Sequence, residues 1–297
     1  MRISFIVLTY NRADALLAVL RALAVQCGPT HEVLIADDGS RSDQVAELLQ
    51  HCPDFLCPVR HIWHPDIGFT AAGARNLGAH FSSGDYLVFL DGDCIPHRSF
   101  VIQHTHLAKQ GFFVNGSRVM LSKSLTQRVL AKQLDLPRSS FFFWLQARVK
   151  GDCNKLFHLA RWPFSLFRVQ EKFNWRGIRS CNFAVWRHDF FAINGFDETF
   201  TGWGHEDADL VLRLGHLGVR RKNGFMATEV FHLWHPHSER DQELANRNRV
   251  MDRSKTNVVR AEKGLLELDA VSSVKISIPN QIKNHAHHTI PKPPKLH

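Results

Sequence analysis

Two acidic clusters stand about a hundred residues apart in this chain. Asp91-Gly92-Asp93 follows directly on the apolar run Tyr86-Leu87-Val88-Phe89-Leu90, and Trp203-Gly204-His205-Glu206-Asp207 opens a stretch with apolar residues at helical spacing. Two carboxylates separated by one residue at a strand end suit a divalent cation that holds two phosphate oxygens. One carboxylate takes the metal while the other faces a ribose or a water. Hard oxygen ligands favour magnesium or manganese, and an added imidazole tilts the choice to manganese. In the second cluster the acids fall in a first helical turn, where the helix dipole alone favours them by about 0.3–1 kcal/mol each. The Trp-Gly that precedes them is what raises them above ordinary capping chemistry.

The elements that must position these groups are legible as hydrophobic periodicity. Ile3-Ser4-Phe5-Ile6-Val7-Leu8 reads as a strand, and Leu16, Leu17, Leu20 and Leu23 repeat at helical spacing from Ala13 to Val25. The alternation continues with Val33-Leu34-Ile35-Ala36 into Asp37-Asp38-Gly39-Ser40, a helix over about 43–50, a strand over 59–63, a helix over about 70–81, and then the strand that ends at Asp91. Strands alternating with helices predict an α/β fold with a parallel, doubly wound sheet covered on both faces. Ligands of such sheets sit outside the carboxyl ends of the strands, where Thr9, Asp37-Asp38, Asp66 and Asp91-Asp93 fall here. The pattern resumes near Ser180 to Trp186, passes through a helix over about 206–217 stopped by Gly218, and ends in a strand over 227–233.

Composition bounds the function classes. With 297 residues and 44% hydrophobic content there is ample material for a core. No charge-free apolar run approaches the roughly 18 residues of a membrane span, and the chain enters its first strand without signal-peptide architecture, so the expected location is cytoplasmic. The six cysteines form no Cys-x-x-Cys pair, which predicts reduced thiols. The net charge of +9 is concentrated: between Arg118 and Arg187 there are 14 Lys or Arg against Asp135, Asp152 and Glu171. Partners are therefore expected to be anionic. The same segment, over about 120–177, is aromatic, with Phe141-Phe142-Phe143-Trp144, Trp162-Pro163-Phe164, Phe167 and Phe173-Asn174-Trp175. Such an insert suits the headgroup boundary of an anionic membrane. A nucleic-acid surface would have similar composition, but no recognition motif accompanies it.

As a set, Ile6-Val7-Leu8-Thr9-Tyr10-Asn11-Arg12, Ala36-Asp37-Asp38-Gly39-Ser40, Gly73-Ala74-Arg75-Asn76-Leu77-Gly78 and Leu90-Asp91-Gly92-Asp93 resemble the successive motifs of family 2 glycosyltransferases with the GT-A fold. Gly195-Phe196-Asp197-Glu198 and Gly202-Trp203-Gly204-His205-Glu206-Asp207-Ala208-Asp209 resemble the C-terminal galactosyltransferase-like motif shared with β-1,4-galactosyltransferases and bacterial chondroitin polymerases. The resemblance covers about residues 1–120 and 177–237. It implies a Rossmann-like, nucleotide-sugar-binding mixed sheet flanked by helices, carrying the basic aromatic insert. One domain would span 1–268, with a nucleotide-binding half at 1–119, the insert at 120–177 and a catalytic, acceptor-binding half at 178–268. A polar tail, expected to be disordered, would follow at 269–297.

Carried over by position, the resemblance implies that Thr9 and Asp38 help hold the uracil and ribose of a UDP-sugar, with Asp37 and Arg75 close by. Asp91 would face the ribose or diphosphate, and Asp93 would ligate the metal. His232 matches the metal-binding histidine of the family, although His235 and His237 are close enough to compete for that role. Asp207 matches the general base, Glu206 would bind acceptor or support the loop, and Trp203 would offer a ring face to a sugar. His205 stands where many relatives have glycine. These roles meet the needs of an inverting transfer: a base opposite the leaving diphosphate and an electrophile that neutralises it. The acceptor expected is a glycan or lipid-linked saccharide. Two rival readings are a sugar nucleotidyltransferase, which would carry a glycine-rich basic loop after the first strand, where this chain has Thr9-Tyr10-Asn11-Arg12, and a catalytically silent glycan-binding protein, against which Asp93, Asp207 and His232 argue.

Overall fold

The computed structural model describes residues 1–160, 168–178, 180–236, 240–268 and 273–279. In chain order the first half forms β1 (Ile3–Thr9), α1 (Ala13–Ala24), β2 (His31–Asp37), α2 (Ser42–His51), β3 (Val59–Trp63), α3 (Ala71–His80), β4 (Tyr86–Asp91), β5 (Cys94–Pro96), α4 (Phe100–Leu107), β6 (Phe112–Asn115) and β7 (Ser117–Met120). The second contains α5 (Lys123–Leu130), α6 (Phe141–Val149), β8 (Asn182–Trp186), α7 (Arg187–Ala192), α8 (Glu206–His216), β9 (Arg220–Asn223), β10 (Glu229–His232), α9 (Glu243–Arg253) and β11 (Lys275–Ser277).

The main sheet has the order β11-β3-β2-β1-β4-β8-β6-β9. Its centre, β3-β2-β1-β4, is parallel as expected, but β8 runs antiparallel to both β4 and β6, and β11 antiparallel to β3. The sheet is mixed, as the resemblance implies, and the parallel sheet read from periodicity holds for its centre. A strand's direction depends on the length and path of the connection before it, and the long insert returns the chain to β4 from the opposite end. The edge strand β11 also lies inside the stretch predicted as a disordered tail. The tail expectation is corrected for 275–277; residues 269–272 and 280–297 lie outside the described residues.

Both faces of the sheet are covered, which is why its strands read as continuous apolar runs. Along β1, Ile3, Phe5 and Val7 point into one core with Leu16, Leu17, Leu20 and Leu23 of α1, while Ile6 points into the other with Leu77 of α3 and Phe89 of β4. Burying each of those leucines contributes roughly 1.5–3 kcal/mol. Gly78 lets α3 lie against β1: a Cβ there would stand 2.6 Å from the Ile6 side chain.

A second sheet, β5-β10-β7, carries the residues after Asp93 and those leading to His232. Asn182 of β8 joins the two sheets: its amide donates to the carbonyls of Ser117 and Thr228, and its oxygen lies 3.2 Å from His104 Nε2. The insert folds over this sheet. Ser122 and Ser140 cap α5 and α6 by accepting from the third backbone N–H, and Trp144 of α6 stacks on Phe231 of β10 at 4.7 Å and 13°. Arg161 to Phe167, including the predicted aromatics Trp162, Phe164 and Phe167, lie outside the described residues.

Candidate active site

A cavity of about 940 Å³ opens at the carboxyl ends of β1 and β4, bounded by the first turn of α8 and the end of β10. Thr9, Asp38, Arg75, Asp91, Asp93, Trp203, Glu206, Asp207, His232 and His235 all line it. Residues from both halves and from the end of the insert, Trp175 to Ile178, thus meet in one place.

The sharp turn at Asp91-Gly92-Asp93 needs its glycine. Gly92 N donates to Leu8 O at 2.7 Å, and a Cβ would stand 2.7 Å from that same oxygen. Asp91 is held by the buried Arg75, whose Nη2 donates to Oδ1 at 3.0 Å. The same guanidinium reaches across to α8, donating from Nη1 to Glu206 Oε1 at 3.3 Å. One arginine therefore fixes both acidic clusters relative to each other. Its neighbour Asn76 binds the other galactosyltransferase-like motif, donating to Phe196 O at 2.9 Å and accepting from Phe196 N at 2.8 Å. Neither residue is a solvated helix face.

The two aspartates after β2 divide. Asp38 lines the cavity, and its carboxylate accepts from the backbone and hydroxyl of Thr70 at 3.0 and 2.5 Å, with His64 Nε2 3.2 Å away. Asp37 is buried beneath it, between His61 Nε2 at 2.8 Å and the Ser40 amide at 2.8 Å. It is not among the lining residues. Its position supports the loop that carries Asp38, and it does not present an oxygen to a ligand.

The three acids of α8 also divide. Glu206 pairs with Arg75. Asp209 is fully buried and bound by Arg213 at 2.8 Å and Arg253 at 2.7 Å. Arg253 also binds Asp197 at 2.7 Å, which ties the two C-terminal motifs together. Asp207 has no cationic partner within ion-pair distance among the described residues. Its Oδ1 accepts from the Ala208 amide at 2.7 Å. Burial, reinforced by the Glu206 charge, raises its pKa to about 7. A carboxyl poised there exchanges a proton near neutral pH. Before it, Gly204 and His205 turn through the left-handed region with φ of 105° and 71°. For His205 that conformation costs roughly 1–2 kcal/mol, which explains why glycine suits the position.

On the opposite wall Asp93 lies between two imidazoles. His232 Nε2 is 3.8 Å from Oδ1, and His235 Nε2 is 3.3 Å from Oδ2. The Cys94 thiol donates to Asp93 Oδ1 at 3.5 Å, and ligand atoms of Asp93, Cys94 and His232 lie within 4.8 Å of one another. His232 Nδ1 is buried with no hydrogen-bond partner among the described residues, and burial pushes the imidazole pKa down against the pull of Asp93. A neutral imidazole beside a carboxylate fits a divalent metal. His235 is half exposed, and its Nδ1 lies 2.7 Å from Pro236 O, which leaves Nε2 toward Asp93. Both histidines are thus placed to bind; His237 lies outside the described residues.

Other lining residues complete the mouth and the walls. Tyr10, donating to Asp66 Oδ2 at 2.9 Å, and Phe69 stand half exposed at the mouth. A large aromatic in the loop Asp66-Ile67-Gly68-Phe69, just after a strand end, is the signal that could have found the second. Trp203 lies in the cavity, with Arg240 4.5 Å from its ring centroid, so one face is already covered. Arg118 and Cys181 complete the wall near Asp91.

The glycosyl transferase family 2 model matches residues 4–191, and the model described as the N-terminal domain of galactosyltransferase matches 164–236. Validoxylamine A glucosyltransferase of Streptomyces hygroscopicus subsp. jinggangensis is 31% identical over 227 residues, 73% of this chain and 52% of that protein. Chondroitin synthase of Escherichia coli is 26% identical over 260 residues, 82% of this chain and 36% of that protein. The chain thus spans about half the length of these curated relatives or less. Among solved structures, S. aureus TarS 1-349 in complex with UDP-GlcNAc has a TM-score of 0.57 at 14% identity, covering 91% of this chain and 70% of that one. GalNAc-T7 with UDP, GalNAc and Mn2+ has a TM-score of 0.55 at 14% identity, covering 85% and 48%. Fold and family agree with the motif order: this chain belongs to glycosyl transferase family 2 and is a transferase with the GT-A fold.

Proposed function

We propose that the protein transfers a hexose or N-acetylhexosamine, with inversion, from a UDP-sugar to a hydroxyl of a glycan or lipid-linked saccharide in surface polysaccharide or lipopolysaccharide synthesis. The observation that carries this reading is the arrangement around one cavity of Asp207, with its pKa near 7, and the Asp93–His232 pair, the two walls joined through Arg75. Residues 1–119 supply the donor side. Thr9 and Asp38 face the nucleoside, and Tyr10 and Phe69 offer it ring surfaces. Residues 178–268 supply the acceptor side, with the open face of Trp203 against a sugar ring.

Asp207 takes the proton of the acceptor hydroxyl as that oxygen bonds to the anomeric carbon. The bond from that carbon to the diphosphate breaks, and its electron pair leaves with the phosphate oxygen. Asp93 and His232, with His235 beside them, would hold a divalent metal, manganese suiting the mixed oxygen and nitrogen donors better than magnesium. Such an ion supplies charge neutralisation for the leaving diphosphate. The Cys94 thiol stays protonated, since burial and its neighbour Cys181 hold its pKa well above the usual thiol value. Arg75 holds Asp91 and Glu206 in place, and the Glu206 charge in turn raises the pKa of Asp207.

The insert is read as meeting an anionic membrane through α6. Phe141, Phe142, Leu145 and Val149 are exposed on that helix, Val149 to 82%, beside the exposed Arg138, Arg148 and Lys150. No helix among the described residues is long and apolar enough to cross a membrane. Its opposite side, Trp144, packs on the strand that ends at His232, so the helix and the metal wall share one support. A screen of nucleotide-sugar donors for manganese-dependent nucleotide release tests the central reading. Release of UDP from one donor is expected, and no release from any donor over a panel of saccharide acceptors would overturn it.

A further inference from the structure

The cavity's arginines are not equivalent. Arg75 is bound by Asp91 and Glu206, Arg12 donates to Asp14 at 2.9 Å, and Arg240 lies over Trp203 and 3.8 Å from Glu243. Arg176 is exposed at the rim against the ring of Trp175. Arg118 differs from all of these. It projects from β7, is partly buried, and lines the cavity, yet the hydrogen bond described for its guanidinium runs from Nη1 to the Cys181 sulfur at 3.8 Å. A thiol is a weak acceptor, and a guanidinium carries five N–H donors. No carboxylate lies within ion-pair distance of Arg118 among the described residues. Asp91 attracts this cation without forming an ion pair with it, and a guanidinium that makes no ion pair among the described residues keeps donors for an anion that reaches the cavity.

Its surroundings say where that anion would sit. Cys181 O accepts from Asp91 N at 3.3 Å, so Arg118 stands beside the strand end that carries Asp91. In the second sheet Arg118 is in register with Val230, two residues before His232. An anion here would lie between the Asp91 turn and the metal wall, within reach of a forked donor that binds two oxygens at once.

We infer that Arg118 is an oxyanion-binding residue that receives a phosphate of the donor's diphosphate or the carboxylate of a uronic acid. Both sources present two coplanar or near-coplanar oxygens to the fork. The inference rests on the nucleotide-sugar reading for the source of the anion, and not for the presence of the site.

Calorimetric titration in EDTA separates the possibilities without relying on turnover. Pyrophosphate, UDP, uridine and methyl glucuronide would each be titrated into the parent protein, Arg118→Gln and Arg118→Lys, with thermal unfolding as a check on folding. If phosphate is the ligand, Arg118→Gln should weaken pyrophosphate and UDP about tenfold and leave uridine unchanged. If a uronate is the ligand, the loss should fall on methyl glucuronide alone. Arg118→Lys keeps the charge and loses the fork, so it should show a smaller loss of the same ligand, and it carries the test if the glutamine variant unfolds. Affinities within twofold of the parent for every anion in a folded variant would overturn the inference, as would a parent protein that binds neither pyrophosphate nor methyl glucuronide. A parent that binds pyrophosphate but gains nothing from the uridine of UDP would instead count against the nucleotide reading and leave the anion site standing.

Discussion

The acids at the strand ends of the first half and those of the first turn of α8 are close in composition and opposite in circumstance. Asp37 is held by His61 and Ser40, Asp38 by Thr70 and His64, and Asp91 by Arg75. Around α8, Glu206 and Asp209 are likewise matched to arginines, and Asp207 is not. Matched carboxylates are held in place by their partners, which suits binding and support. The unmatched one, half-buried beside a like charge, has its pKa raised to about 7 and can exchange a proton. Within one motif, then, which acid is left without a cation is set by the arginines the fold brings near.

The sharpest test of that contrast is Asp207→Asn. The amide is nearly isosteric but cannot accept the hydroxyl proton, so transfer should fall by a factor of about 10²–10⁴ while UDP affinity is kept. A near-normal rate would move the base to Glu206, since Asp209 is enclosed by Arg213 and Arg253. On the donor side, Asp93→Ala should remove the increment that manganese adds to UDP binding, measured by calorimetry with and without the ion, while the thermal midpoint stays near that of the parent. His232→Ala should weaken manganese more than His235→Ala, because the former imidazole is buried and already neutral; the reverse order would assign the ligand to His235.

Arg75→Met would leave Asp91 and Glu206 unpaired. Breaking a buried pair costs about 3–5 kcal/mol, and the lower end applies because Asp91 keeps 28% of its side chain exposed. Denaturant unfolding measures this, and a change below about 1 kcal/mol would show that Arg75 does not bind the two clusters together.

A pH dependence follows from Asp207 itself. Transfer should rise as pH passes through about 7, where the base loses its proton. Stability should move the other way. The folded-state pKa of about 7 lies above the ordinary carboxylate value of 3.8, so the fold holds this proton more tightly than the unfolded chain between those limits. The contribution is complete below about pH 4 and is lost as pH rises through 7. Asp207→Asn should accordingly gain thermal stability over the parent at pH 8, with a smaller gain at pH 5. Smallest of the expected effects is that of Phe141→Ser with Phe142→Ser on α6. Co-sedimentation with vesicles containing anionic lipid should weaken while transfer to a short soluble acceptor persists. A parent protein that ignores such vesicles at low salt would remove the membrane from the account.

Much of this was legible in the sequence because it is local. The turns after β1, β2 and β4, the helix that begins at Glu206, and the helix carrying Arg75 and Asn76 all follow from periodicity and motif order. What stayed hidden depends on distant partners. Nothing near Asp37 announces His61, and nothing near Asp209 announces Arg253. Arg118 looked like one of 14 cations in a basic segment, and its place on the cavity wall comes only from the pairing of β7 with β10. The aromatic insert split in the same way. Trp144 packs inward on Phe231 while Phe142, two positions earlier, is 78% exposed, a division set by the rotation of a helix against a sheet. Lys155, expected at the basic surface, is partly buried and donates to Ser117 Oγ at 2.6 Å.

The place of β8 in the main sheet bears on how the chain is made. β4 pairs with β1 on one side and with β8 on the other, and β6 also pairs with β8 and not with β4. While the polypeptide emerges during synthesis, β1 to β4 can assemble long before residues 182–186 exist. Throughout that interval one apolar edge of β4 has no strand to meet it. Such an edge invites pairing with another nascent chain. A fragment ending near residue 119 should therefore aggregate, although it holds the whole of the proposed donor half, and coexpression with the remaining chain should rescue it only if β8 can slide into the gap.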